Sequence, residues 1–343
     1  MIEATWGLII AIIGVALVFD FTNGFHDSAN SISTVVSTKV LSPRNAVMFA
    51  AFFNFVAAFG FGVLVASTIS KIIQLDYVDT AVVPYIVLCA LIGAISWNLI
   101  TWRFGLPTSS SHALIGGMTG AGIAAAGLAA IKWTTVGEVA AFMILSPIIG
   151  LICGFLLMAA ILWLTRRANR EIADTYFKRL QLCSAAAYSF SHGSNDAQKT
   201  MGIILPLLFS IGYFGAGVDP NHLPMPIWVI LIAHTAIALG TLSGGWRIVK
   251  TMGYKITRLR PVHGFAAETA GAATILGASA VGIPVSTTHI ICTSIMGVGT
   301  TMGASTVKWG VARSIMGAWI LTIPISALVG FVSFAVVRVI IGY

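Results

Sequence analysis

Gly24-Phe25-His26-Asp27 and Gly193-Ser194-Asn195-Asp196 are two matching polar motifs set in otherwise apolar sequence. A proline-led hydroxyl motif follows each of them: Pro107-Thr108-Ser109-Ser110-Ser111-His112 and Pro284-Val285-Ser286-Thr287-Thr288-His289. A carboxylate inside a membrane is costly, so two of them at matching positions of an internal repeat need a functional reason. The pattern predicts a transporter with its site where two halves of the chain meet.

The composition identifies the class of protein. Of the 343 residues, 57% are hydrophobic and only 9% are charged, too few polar groups to cover a soluble domain. We therefore predict an all-α, polytopic membrane protein. The net charge of +8 does not indicate a nucleic-acid partner, because the basic residues cluster in connecting loops, as membrane topology requires.

Ten apolar segments can be marked along the chain. They span residues 6–38, 46–70, 82–102, 107–131, 138–165, 183–214, 227–246, 262–281, 284–305 and 310–340. If each segment crosses once, 15 of the 19 Lys and Arg residues fall in loops on one side. The excess of basic residues marks the cytoplasmic side, so we expect both termini to lie outside. We also expect segment 6–38 to be a membrane segment and not a removable signal.

Each half has five segments, and because five is an odd number the second half enters the membrane from the opposite side. We expect residues 1–165 and 183–343 to form inverted-topology repeats, joined by the basic cytoplasmic linker 166–182. The repeat extends beyond the motifs, because Pro84 precedes His112 by the same 28 residues that separate Pro261 from His289.

The aspartate motifs offer ligands for a cation. Asn23, Asp27 and Asn30 supply hard oxygen atoms suited to Na⁺, a proton or a divalent ion, and Asn23-Gly24 favours a break in the helix. In the second half, Asp196 matches Asp27 and is preceded by Asn195. Lys199 replaces Asn30 there and can face either Asp196 or an anionic substrate. Glu268 is a further buried acid and a candidate for coupling. The alternative is that each aspartate is only a structural helix cap.

The hydroxyl motifs predict helix starts. Proline suits a first turn, the hydroxyls can cap it, and free amides at a helix N-terminus attract anions. Two such starts, either full spans or re-entrant hairpins, could enclose a tetrahedral oxyanion. His112 and His289 are candidate proton relays or, equally, structural residues. The oxyanion candidates are Thr108, Ser109, Ser110, Ser111, Ser286, Thr287, Thr288, Gln198 and Lys199.

The four motifs together resemble the inorganic phosphate transporter (PiT) family, in its compact bacterial form. The resemblance implies import of inorganic phosphate by symport with Na⁺ or H⁺, as free phosphate or with Mg²⁺ or another divalent cation. It implies that Asp27, Asn30, Asn195 and Asp196 couple the cation, with Asp27 and Asp196 as Na⁺ ligands in a sodium-coupled protein. It implies that the serines and threonines of the hydroxyl motifs hold phosphate. The expected location is the bacterial inner membrane, and a homodimer is compatible with the sequence.

Three other functions compete with phosphate symport. Related permeases of the same fold carry sulfate or another oxyanion, but they depart from the paired aspartate motifs kept here. An intramembrane hydrolase would use an Asp or Ser–His pair, yet it would not need duplicated helix starts. A channel is disfavoured by buried, symmetric binding groups. We expect no enzyme activity and no cofactor besides the coupling ion.

Overall fold

The computed structural model describes residues 5–60, 62–215, 217–219 and 222–342, and in them helices are the regular elements. Twelve helices, α1 to α12, follow one another in the described part of the chain. Their bounds are Trp6–Ser37, Pro43–Val56, Leu64–Ser70, Val83–Phe104, Ser110–Ala126, Trp133–Thr165, Arg170–Ser210, Ile227–Ser243, Trp246–Lys250, Pro261–Ala280, Thr287–Thr300 and Trp309–Ile341. A π-helical turn, Thr251–Lys255, continues α9. The predicted all-α class is confirmed.

Four of the described helices, α1, α4, α6 and α12, are long and apolar enough to cross a membrane. Two further spans result if the bent pairs formed by α2 with α3 and by α8 with α9 each count as one. Each of the ten predicted segments contains helix, but length and composition support four to six spans, so ten crossings remain a prediction. Residue 61 of segment 46–70 lies outside the described residues, as do residues 1–4 and 343, on which the predicted positions of the termini depend.

The predicted breaks at the aspartate motifs are wrong, because α1 and α7 run unbroken through them. The glycines serve close packing instead. A Cβ atom added at Gly24 would lie 2.2 Å from the carbonyl oxygen of Ile237 in α8, and one at Gly193 would lie 2.6 Å from that of Asn54 in α2. Helix backbones can approach this closely only where a side chain is missing, so tertiary contact overrides the local tendency to break.

The hydroxyl motifs start helices, as predicted. Ser109 and Ser286 are the N-caps of α5 and α11, and their hydroxyls accept hydrogen bonds from the amides of His112 (3.3 Å) and His289 (3.2 Å). The prolines do not occupy the first turn, which corrects our expectation. Pro107 and Pro284 lie in the extended segment before each N-cap, because the cap is a serine two residues further on.

Two apolar cores leave a polar layer between them. On α1, Phe19 belongs to one core and Ala29 to the other. On α7, Ala197 and Tyr188 are divided between the cores in the same way. Asp27 lies between the two members of the α1 pair, and Asp196 lies between the two members of the α7 pair. Both aspartates are therefore at the level where the apolar packing is interrupted.

Candidate functional site

The two aspartates meet in this polar layer. Asp27 on α1 is 2% exposed and Asp196 on α7 is fully buried. One carboxylate oxygen of each and one ring nitrogen of His192 all lie within 4.8 Å of one another. Two carboxylates this close in a buried site repel each other unless a proton or cation lies between them or nearby. The arrangement is therefore suited to cation binding.

Asp27 is held by neighbours from its own half of the chain. The Nδ1–H of His26 donates to Oδ1 of Asp27 at 2.6 Å. The hydroxyl of Ser110, in the first turn of α5, donates to Oδ1 of Asn23 at 2.6 Å and to Oδ2 of Asp27 at 3.4 Å. The start of α5 is thus tied directly to the aspartate motif of α1.

Asp196 has a different set of neighbours. The ammonium of Lys199 donates to its Oδ1 at 2.5 Å, and Nε2 of His192 lies 3.4 Å from its Oδ2. The hydroxyl of Thr287, in the first turn of α11, donates to Oδ2 at 3.5 Å. Asn30 of the first half also reaches α11, where its amide donates to the hydroxyl of Thr288 at 2.9 Å. The start of α11 therefore contacts both aspartate motifs.

The starts of α5 and α11 face each other. The imidazole rings of His112 and His289 are edge to face, with their centroids 4.9 Å apart. The hydroxyl of Ser111 donates to the carbonyl of Val285 at 3.5 Å. The residues from Ser109 to His112 and from Ser286 to His289 are all at most 2% exposed. Two helix N-termini, each with free amides and a positive dipole end, thus converge beside the two carboxylates.

The layer brings together most of the predicted residues. It contains Asn23, Asp27, Asn30, Ser110, Thr287, Thr288, Asp196, Lys199, His112 and His289. His289 also stacks on Trp319 with ring centroids 3.8 Å apart. Trp319 in turn donates its indole N–H to the carbonyl of Pro107 at 2.8 Å, so α12 holds the approach to α5 in place.

Four predicted residues make their shortest described contacts elsewhere, although the hydroxyl of Thr108 also lies 3.5 Å from Nε2 of His26. Glu268 accepts hydrogen bonds from Gln181 (3.1 Å) and Ser184 on α7. Gln198 caps α3, since its Oε1 accepts from the amides of residues 65 (2.9 Å) and 66 (3.2 Å). The amide of Asn195 donates to Ser279 at 2.8 Å, and the hydroxyl of Thr108 donates to Thr101 at 2.9 Å.

His192 is the site residue that the sequence reasoning missed. It lies one helical turn before Asp196 and is fully buried, and its Nδ1 is 3.3 Å from Oδ1 of Asn54 on α2. The signal was available, because residues four apart on a helix share a face. His192 directly precedes the quoted motif Gly193-Ser194-Asn195-Asp196, and the motif comparison gives it no role.

The donor chemistry of the first half fits a cation. Oδ1 of Asn30 is buried and has no hydrogen-bond partner among the described residues, and it belongs to the same motif as Asp27. Amide and carboxylate oxygens are ligands for Na⁺ and for hard divalent ions. The second half differs, because an ammonium already lies against its carboxylate.

The sequence was compared with known proteins. A model of the phosphate transporter family matches residues 23–330, which include all four motifs. The chain belongs to this phosphate transporter family. A probable low-affinity inorganic phosphate transporter of Rhizobium meliloti is 50% identical, with 94% of each chain covered. One of Bacillus subtilis is 45% identical, with 97% of this chain and 98% of the relative covered.

A solved structure agrees with the family assignment. It is described as the sodium-dependent phosphate transporter, and it matches with a TM-score of 0.89 at 26% identity. The match covers 97% of this chain and 100% of that one. The resemblance found from the motifs is confirmed, and the chain is a multi-pass membrane protein of a transporter family. Because the relatives are named as transporters, the hydrolase alternative is dropped.

Proposed function

We propose that this protein is a secondary active transporter that imports inorganic phosphate by symport with a cation, H⁺ or Na⁺. The observation that carries the proposal is the polar layer, in which two buried carboxylates lie beside two converging helix starts. The carboxylates provide for a cation and the helix starts provide for an anion. Each half of the chain contributes one of each.

The helix starts of α5 and α11 form the proposed phosphate site. The amides of their first turns and the hydroxyls of Ser109 to Ser111 and of Ser286 to Thr288 would bind the phosphate oxygens, with Thr108 supporting the approach to α5. His112 and His289 lie between the two starts and are proposed to contact phosphate or relay a proton. Gln198 and Lys199 stay proposed phosphate ligands, although Gln198 has its described contacts with α3.

The carboxylates explain why transport would be coupled. Without a free cation, the buried Asp27 carboxylate repels an anion from the helix starts beside it. A bound Na⁺ or proton neutralises this repulsion, so cation and phosphate favour each other's binding. We propose that three asparagines help to bind the cation: Asn23, Asn30 and Asn195. Glu268, which lies on α10 and accepts hydrogen bonds from α7, is proposed to affect coupling.

We propose that the halves 1–165 and 183–343 are inverted repeats joined by the linker 166–182. Equivalent contacts support this. The hydroxyl of Thr251 donates to the carbonyl of Gly105 at 2.8 Å, and that of Thr68 donates to the carbonyl of Gly282 at 2.8 Å. Each glycine ends the turn that leads to a hydroxyl motif. Helix α4 with α5 forms one hairpin, and α10 with α11 forms the other. Since α5 and α11 start at one buried level, we propose that the two hairpins are re-entrant and enter from opposite sides.

The proposed location is the bacterial inner membrane, with both termini outside. Exposed apolar side chains on α6 and α12 would contact the lipid bilayer. We keep a homodimer as part of the proposal, and the mass of the purified protein in detergent would test it.

Uptake of radiolabelled phosphate into proteoliposomes tests the function. Na⁺ and pH gradients are imposed separately, with and without Mg²⁺. We expect uptake that follows one gradient and falls at least tenfold in Asp27→Asn, because the cation then loses a carboxylate ligand. A similar fall is expected in Asp196→Asn, because the buried Lys199 ammonium then loses its carboxylate partner. Asp76→Asn is the matched control, since Asp76 is exposed.

The same assay decides between substrates. Competition by arsenate and not by sulfate agrees with a phosphate carrier, and a requirement for Mg²⁺ indicates that a metal–phosphate complex is carried. Absence of phosphate uptake under every gradient, from folded protein, would contradict the proposal, and sulfate uptake would then identify the alternative oxyanion permease.

A further inference from the structure

The two aspartate motifs differ at one matched position. In the first half, Asp27 is followed three residues later by Asn30. In the second half, Asp196 is followed three residues later by Lys199. Residues three apart on a helix lie on the same face, so each partner is placed beside its own aspartate. At this matched position, one motif therefore carries a neutral amide and the other carries a cation.

Asn30 has an oxygen atom available to bind a cation from solution. Its amide nitrogen is used, because it donates to Thr288 at 2.9 Å. Its oxygen is buried and accepts no hydrogen bond from the described residues. A buried acceptor without a donor is costly, and a bound cation would remove that cost. The first half thus has the character of a site that a free ion fills.

Lys199 has no such ligand atom, because its side chain ends in an ammonium group. Its side chain is fully buried, and Nζ lies 2.5 Å from Oδ1 of Asp196. The ammonium carries the same single charge as Na⁺ and lies in direct contact with the carboxylate that Na⁺ would need. A second cation cannot take the same contact with Oδ1, and one at Oδ2 would be repelled by the neighbouring ammonium.

We propose that the Lys199 ammonium is a built-in cation that permanently fills the cation position of the second half. The similar solved structure is described as a sodium-dependent phosphate transporter. A free sodium ion would not fit the second half of the present chain. Phosphate transport by this protein then uses one free cation fewer than a protein with Asp-x-x-Asn in both halves would use. This inference rests on the proposed function only in its statement about transport. The filled cation position itself is a property of the protein without bound phosphate.

Binding of radioactive Na⁺ to the purified full chain in detergent, without phosphate, tests the proposal. The wild type is compared with Lys199→Asn, which copies the first-half motif, and with Lys199→Met, which removes the charge without adding an oxygen ligand. We expect at most one Na⁺ per chain in the wild type, one more in Lys199→Asn, and no gain in Lys199→Met. A rise in melting temperature on replacing choline chloride with NaCl should appear or grow only in Lys199→Asn.

Several outcomes would overturn the proposal. They are two Na⁺ ions bound to the wild type, no gain in Lys199→Asn, or an equal gain in both variants. Weaker phosphate binding in both variants with unchanged Na⁺ binding would mean that Lys199 acts as a phosphate ligand only and does not fill a cation position. Monodisperse elution qualifies each variant, and Lys199→Gln replaces Lys199→Asn if that protein does not fold. Failure of the wild type to carry phosphate would sink the proposed function and leave the Na⁺ count standing.

Discussion

The two halves of the molecule repeat their backbone contacts more closely than their side-chain chemistry. Each aspartate-bearing helix crosses a neighbour at a glycine, each hairpin turn is bound by a threonine, and each hydroxyl motif begins a helix with a serine cap. The side chains around the aspartates are not repeated, since His26 lies beside Asp27 whereas His192 and Lys199 lie beside Asp196.

This difference separates two tasks. The repeated contacts position helices, and helices must be positioned alike on both sides if a site between two halves is to open in either direction. Under the proposed function, the side chains that differ would set which ion or substrate oxygen each half binds. A function that moves cation and anion together gains from such a division, because the scaffold can stay symmetric while the charges do not.

The largest expected effect comes from the glycine crossings. In Gly24→Ala and Gly193→Ala, the new methyl group meets the backbone of the neighbouring helix at 2.2 and 2.6 Å. Backbone cannot move aside cheaply, so each variant should lose about 1–3 kcal/mol of stability. Gly14→Ala is the control in α1, because nothing lies within 4 Å of the added atom, and it should gain about 0.5–1 kcal/mol.

Thermal unfolding in detergent measures these three variants. If the crossings are equivalent, Gly24→Ala and Gly193→Ala lower the melting temperature together while Gly14→Ala does not. A wild-type melting temperature in either crossing variant would show that this helix pair is looser than the described backbone distances require.

Much of the fold and part of the site follow from sequence patterns. Composition gives the helical membrane class, and the positions of Ser109 and Ser286 give the helix starts. The meeting of Asp27 with Asp196 agrees with the expectation that the matched motifs form one site where the two halves of the chain meet. These features depend on local chemistry or on an internal match, and both can be observed in one chain.

Other features depend on partners far apart in sequence. The Asn23-Gly24 pair predicts a break by its intrinsic propensity, but α8 packs against Gly24 and keeps α1 continuous. Gln198 is assigned to the substrate by its place in the motif, yet it caps α3, which begins more than a hundred residues earlier. No pattern within either segment shows such a contact, so only the fold reveals it.

The serine caps give an intermediate effect and a sharper comparison. Ser109→Ala and Ser286→Ala each remove one hydroxyl that accepts from a helix amide, at 3.3 and 3.2 Å. Loss of an N-cap costs about 1 kcal/mol. We expect similar falls in melting temperature for both, and little change in Ser109→Thr, which keeps a hydroxyl. A fall in only one of the two would show that one helix start is held by its other contacts and that the halves differ in scaffold as well as in chemistry.

The turn threonines give the smallest effect and the most direct test of the repeat. Thr251 and Thr68 each donate one hydroxyl to a turn carbonyl, of Gly105 and Gly282 respectively, and both distances are 2.8 Å. A single neutral hydrogen bond contributes about 0.5–1.5 kcal/mol, so Thr251→Val and Thr68→Val should lower stability equally and only slightly. The double variant should lose the sum, because the two turns belong to different hairpins. Melting curves of the two single variants and the double variant check this, and a loss in the double variant well beyond the sum would mean that the two turns depend on each other. The stabilities of the two halves would then be coupled through their hairpins. That coupling would come from the packing of the helices and would add to any coupling through the charges in the polar layer.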